Sequence, residues 1–102
     1  MSQPVQVFME YKIKEDKVGH YEEAMPAILR KLEEYEASQI HWYGAADQQR
    51  LYVEMYTVPT MAHYHEIKNL RREATNPFFG KLAHYIDGGL EKLHCWAFIQ
   101  RL

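Results

Sequence analysis

Residues 40–58 read IHWYGAADQQRLYVEMYTV: two runs rich in aromatic and β-branched side chains, Ile40 to Ala45 and Leu51 to Val58, joined by a short polar segment around Asp47, Gln48 and Gln49. That composition predicts a pair of strands closed by a hairpin turn. Upstream, Val18, Tyr21, Met25, Ile28, Leu32 and Tyr35 recur every three or four positions after a start at Glu15-Asp16, which predicts an amphipathic helix to about Glu36. Pro26 falls inside it and predicts a bend or break near residues 22 to 26. Further upstream, Val5, Val7, Met9, Tyr11 and Ile13 alternate with other side chains, the period of a strand running from Val5 to Lys14.

Downstream, Pro59-Thr60 opens a second helix carrying Met61, Tyr64, Ile67 and Leu70 on one side and fading near Ala74. Asn76-Pro77 pairs a capping residue with a proline suited to a first turn, which predicts a short helix from Phe78 to Ile86, ended by Gly88-Gly89. Alternation returns from Leu93 to Gln100 and supplies a last strand. The order β-α-β-β-α-β predicts an α+β, ferredoxin-like domain over residues 1–102. Its four-stranded antiparallel sheet has the strand order 4-1-3-2 and both helices on one face.

Composition narrows the function classes. The 102 residues carry 25% charged side chains and a formal net charge of -2, so no broad basic field draws nucleic acid or anionic lipid. The single Cys95 cannot close an intrachain disulfide. The opening Met1-Ser2-Gln3-Pro4 has neither the basic start nor the apolar run of a signal peptide, and no apolar stretch approaches a membrane span. The expectation is a cytoplasmic protein. P-loop, dinucleotide-binding, zinc-spacing and nucleophile-elbow patterns are absent from the sequence, so no metal or other cofactor is expected.

Sorting the strand residues by parity separates two faces. Val5, Val7, Met9, Ile13, Ile40, Trp42, Leu51, Val53, Met55, Leu93, Cys95, Ala97 and Ile99 are expected under the helices. Phe8, Glu10, Lys12, His41, Tyr43, Tyr52, Glu54, Tyr56, His94, Trp96 and Phe98 are expected on the bare face. So many rings on one sheet face predict burial against a second copy, a homodimer joined through the face opposite the helices.

In element order, in this aromatic second face and in the Asn76-Pro77-Phe78-Phe79 segment, the chain resembles the dimeric α+β barrels. That superfamily includes antibiotic-biosynthesis-type monooxygenases, haem-degrading monooxygenases and stress-responsive barrel proteins. The resemblance spans nearly all of the chain. It implies a homodimer with a cavity for a small apolar molecule, and a cofactor-independent monooxygenase acting on an apolar aromatic substrate. The haem-degrading branch relies on an asparagine on the first strand, whereas Asn69 and Asn76 both lie outside the predicted strands.

Antiparallel pairing of the hairpin sets His41 opposite either Glu54 or Tyr56. A His41–Glu54 pair in a closed cavity is a candidate acid–base centre. Phe8, Glu10, Tyr43, Tyr52, Tyr56, His94, Trp96 and Phe98 are candidate substrate-binding residues. The same pairing serves equally well if the two groups merely satisfy each other across a subunit contact, which makes the chain a non-catalytic homodimeric ligand-sensing or interaction module. Lys68, Arg71 and Arg72 are expected to be a solvated cluster at a helix C-terminus.

Overall fold

A computed structural model describes residues 3–102; Met1 and Ser2, on which the reading of the N-terminus partly rests, lie outside the described residues. Strand β1 spans Val5–Lys12, helix α1 Val18–Glu33, β2 Ser38–Gly44, β3 Leu51–Val58, α2 Met61–Arg71, α3 Leu82–Tyr85 and β4 His94–Phe98. Single 3-10 turns at Glu15–Lys17, Phe79–Lys81 and Leu90–Lys92 precede α1, α3 and β4. The sheet is four-stranded in the order β2-β3-β1-β4, with every pairing antiparallel, as the element order predicts. Among the described residues, no helix is long and apolar enough to cross a membrane.

Local signals set the helix ends. Thr60 is extended, and its side chain accepts from the His63 backbone N–H at the start of α2. The Asn76 side-chain carbonyl accepts from the N–H groups of Phe78 and Phe79, so the capping signature works as expected, although the turn that follows is shorter than a full helix. Gly80 lies in the same turn because a Cβ there would come 2.3 Å from the carbonyl oxygen of Ala74. Pro26 does not break its helix: α1 runs from Val18 to Glu33 with the proline on its exposed side. The helix bears the loss of one backbone donor at that exposed position.

Alternation on β1 holds, with Val5, Val7, Met9, Tyr11 and Ile13 all buried against Tyr21, Met25, Ile28 and Leu32 of α1 and Tyr64 and Ile67 of α2. On β3 the expected faces are reversed. Tyr52, Glu54, Tyr56 and Val58 are buried under the helices, while Leu51, Val53 and Met55 lie on the other side. The register fixes this. Val58, Tyr56, Glu54 and Tyr52 stand directly opposite Val5, Val7, Met9 and Tyr11 of β1, and directly opposed residues of an antiparallel pair share a face.

Candidate functional site

Two constellations of chemically capable side chains follow from that register, one on each side of the sheet. On the face away from the helices, β1 contributes Phe8 and Glu10, β2 His41 and Tyr43, β3 Val53 and Met55, and β4 His94, Trp96 and Phe98. Phe8 opposes both Trp96 and Met55, and its ring lies 5.5 Å from that of Trp96. Glu10 opposes His94, whose ring stacks at 6.0 Å on Trp96, while His41 stacks at 6.1 Å on Tyr43. An imidazole beside a carboxylate and two aromatic rings can hold a planar molecule and exchange a proton with it. At that end a basin of about 540 Å³ opens between Glu10, Lys12, Leu51, Asp87, Lys92 and His94. A depression of about 560 Å³ at the opposite end is lined by amide side chains such as Gln3, Gln6 and Gln39, with Arg101 as its one charged side chain.

The expected His41–Glu54 pair does not form. His41 opposes Met55, and Trp42 opposes Glu54, so the imidazole and the carboxylate point to opposite sides of the sheet. Tyr52 and Tyr56, expected beside them on the bare face, are buried with Glu54 under the helices. Of the expected site residues, Phe8, Glu10, His41, Tyr43, His94, Trp96 and Phe98 share the open face.

Behind the sheet sits the second constellation, which the sequence reading missed. Arg71 is completely buried, not solvated, and its Nη1 and Nη2 donate to Glu54 Oε1 and Oε2 at 2.8 and 2.7 Å. Tyr11 donates to Glu54 Oε2 at 2.5 Å. A phenol has one proton, so in the 2.7 Å contact between the two hydroxyls Tyr21 donates to Tyr11. The Trp42 indole N–H in turn donates to Tyr21 at 2.8 Å. Arg71 also stacks over Phe79, 5.2 Å from its centroid, and its Nε finds no hydrogen-bond acceptor among the described residues. Burial works against the Arg71 charge, but the attraction of Glu54 and its hydrogen bonds outweigh burial and raise the guanidinium pKa. One signal in the sequence pointed here. Tyr64, Ile67 and Arg71 fall at i, i+3 and i+7, the spacing of a single helix stripe.

These phenols are held neutral. Burial, reinforced by the Glu54 charge, pushes Tyr11 well above the ordinary tyrosine range, and burial likewise raises Tyr21 and Tyr56. Tyr52 is pushed up to about 12 by burial and by its hydrogen bond to Glu22, and Tyr64 to about 12 by burial and by the Cys95 side chain beside it. The unfolded chain ionises its tyrosines first, near 10.0, and so binds fewer protons than the native state at higher pH. Stability is therefore full below that range and falls as pH rises through it, towards 12 for Tyr52 and Tyr64. In an alkaline titration these phenols are expected to ionise together with loss of the circular dichroism signal. Their ionisation in a still-folded protein would contradict the burial described.

Among the described residues, no three His, Cys, Asp or Glu side chains converge closely enough to hold a metal ion. No family model matches the sequence, and no curated protein does either. Solved structures do match in fold. A conserved protein from Methanosarcina mazei superposes with a TM-score of 0.76 at 10% identity, covering 97% of this chain and 94% of that one. A protein from Nitrosomonas europaea, ascribed to the antibiotic biosynthesis monooxygenases, gives 0.75 at 13% identity, covering 98% and 92%. A NIPSNAP family protein from Agrobacterium tumefaciens gives 0.69 at 12% identity, covering 99% and 89%. These likenesses, all at 13% identity or below, show a shared ferredoxin-like α+β fold.

Proposed function

We propose that two copies of this chain close the open faces of their sheets over one another and hold a small, largely apolar aromatic molecule in the space between. The observation that carries this is the concentration of exposed rings on one face: Tyr43, Trp96 and Phe98 are 51%, 43% and 54% exposed, with Met55 at 37% beside them. The wet side of an antiparallel sheet is normally polar, and an apolar patch of this kind marks a contact surface. A twofold contact suits it, because each copy then offers the other the same set of rings.

Inside the closed space, proton handling falls to His94 with Glu10 beside it, while His41 borders the same space from β2. The Phe8–Trp96 pair supplies the ring platform and Tyr43 and Phe98 the flanks. In the oxygenase form of this reading, His94 takes a proton from an aromatic hydroxyl and the substrate itself supplies electrons to dioxygen. The fold of the Nitrosomonas europaea protein lends this reaction class its support, at the level of analogy. A second reading, a non-catalytic homodimeric ligand-sensing or interaction module, draws on the register of β2 and β3, which sets His41 opposite Met55 rather than a carboxylate.

Light scattering at micromolar concentration tests the shared premise, with a dimer mass expected. An oxygen electrode with a hydroquinone as probe then separates the readings. Oxygen uptake that is lost in His94→Ala supports the enzyme, and a dimer that never consumes oxygen supports the module. A monomer at that concentration overturns both.

A further inference from the structure

The hydrogen bonds behind the sheet all run one way, from Trp42 through Tyr21 and Tyr11 to Glu54, where Arg71 closes the chain. The rings along it are in electron-transfer contact. Trp42 and Tyr21 are 5.7 Å apart, Tyr21 and Tyr11 5.7 Å, and Tyr52 lies 4.6 Å from Tyr21. Indole and phenol are the side chains most easily oxidised by one electron, apart from thiols. An oxidised phenol is stable only if a base can take its proton, because the phenol radical cation is a strong acid. Tyr11 meets that requirement inside the core, with Glu54 as the acceptor, since Tyr11, Glu54 and Arg71 are all essentially inaccessible to bulk solvent.

We propose that this chain is an oxidation relay, in which Tyr11 holds an oxidising equivalent as a neutral tyrosyl radical. A one-electron oxidant collects an electron at the half-buried Trp42, and the vacancy passes through Tyr21 to Tyr11. As the electron leaves Tyr11, its phenolic proton crosses the hydrogen bond to Glu54, whose oxygens still accept from Arg71 but no longer balance its charge, so the pair pulls the proton back once an electron returns. The balance is one electron to the oxidant, one proton from phenol to carboxylate, and no net change at Trp42 or Tyr21. A one-electron reductant such as a thiolate restores the phenol, and the proton returns from Glu54.

Burial gives this arrangement its particular property. Tyr52 forms a side branch, because it stands within contact of Tyr21 and hydrogen-bonds to Glu22, but Glu22 is exposed and exchanges its proton with water. A proton passed from Tyr52 to Glu22 is lost to solvent, so radical character on that branch has no returning proton and is short-lived. On Tyr11 the radical is shielded from bulk water and from coupling to another radical, and a reductant reaches it only back along the chain from Trp42, so that is where it persists. The directional chain also makes the proton shift short and local, which favours transfer over release. This inference does not depend on what the open face binds.

The test is flash photolysis of the full-length protein with ruthenium tris-bipyridine as sensitiser and persulfate as electron acceptor, followed by electron paramagnetic resonance. The wild type is expected to yield a long-lived, hydrogen-bonded neutral tyrosyl signal. Tyr11→Phe is expected to lose it, and Tyr43→Phe, on the far face, to keep it. Tyr11→Phe also removes a donor from the buried Glu54, so Trp42→Phe gives an independent check at a half-buried site and is expected to lower the yield of the same signal. A signal abolished by Tyr43→Phe and untouched by Tyr11→Phe, or a yield indifferent to Trp42→Phe, would overturn the relay.

Discussion

Replacing Arg71 by methionine is expected to destabilise the domain by about 3–5 kcal/mol, the usual cost of stranding one member of a buried ion pair. Both partners are 0% exposed and are joined by two short hydrogen bonds, so no solvent screening reduces the effect. Without the guanidinium, the Glu54 carboxylate keeps Tyr11 as its donor but has no compensating charge, and water cannot reach it. A loss of that size is a large fraction of the roughly 5–15 kcal/mol by which small domains are stable. The double variant Arg71→Met with Glu54→Leu is expected to recover most of it, because neither charge is then left alone in the core. Urea denaturation of both variants reads the difference. A single variant as stable as the parent would mean that the pair is open to water.

Met55→Lys carries the second large effect, on assembly. Met55 lies on a central strand of the open face, directly opposite Phe8 on one side and His41 on the other. In a lone protomer a lysine there lays its stem over Phe8 and keeps its ammonium in water, so the fold is expected to survive. Between two closed faces that ammonium is desolvated over Phe8, Val53 and Trp96, the Glu10 carboxylate diagonally across on β1 already stands opposite His94, and twofold symmetry buries the lysine twice. At about 3–5 kcal/mol for each stranded charge, and about tenfold in affinity for each 1.4 kcal/mol, the dimer is expected to dissociate across the micromolar range. Sedimentation of the variant, with circular dichroism to confirm its fold, measures this. A variant that remains dimeric would place the contact elsewhere on the protein.

What the sequence made legible was local. Alternation on β1, the start of α2 after Pro59-Thr60 and the Asn76 cap each depend on neighbours a few residues away, and each appears where expected. The faces of β3 were not legible in the same way. Leu51, Val53 and Met55 form one greasy set and Tyr52, Glu54 and Tyr56 another, and hydropathy favours sending the aliphatic set inward. What makes the opposite choice stable is remote in sequence: Arg71 at the end of α2 and the Tyr11 hydroxyl on β1, which together satisfy a carboxylate that no neighbour on β3 satisfies. With β3 turned over, the proposed acid–base pair moves from His41 and Glu54 to His94 and Glu10. The outer strands β2 and β4 follow the expected parity, which is why Phe8, Glu10, His41, Tyr43, His94, Trp96 and Phe98 were legible as one surface.

The margins of the sheet bear on how the protein avoids polymerising. Strand β2 shifts register between Ser38 and His41, with Gln39 in a left-handed conformation at φ 51°, and β4 at the other rim has only five residues. A kinked rim and a short one are both poor templates for an incoming strand, so the fibre-forming route open to a straight, bare edge is blocked at each side. In the proposed dimer, self-association is then left to the open faces, whose contact closes on itself.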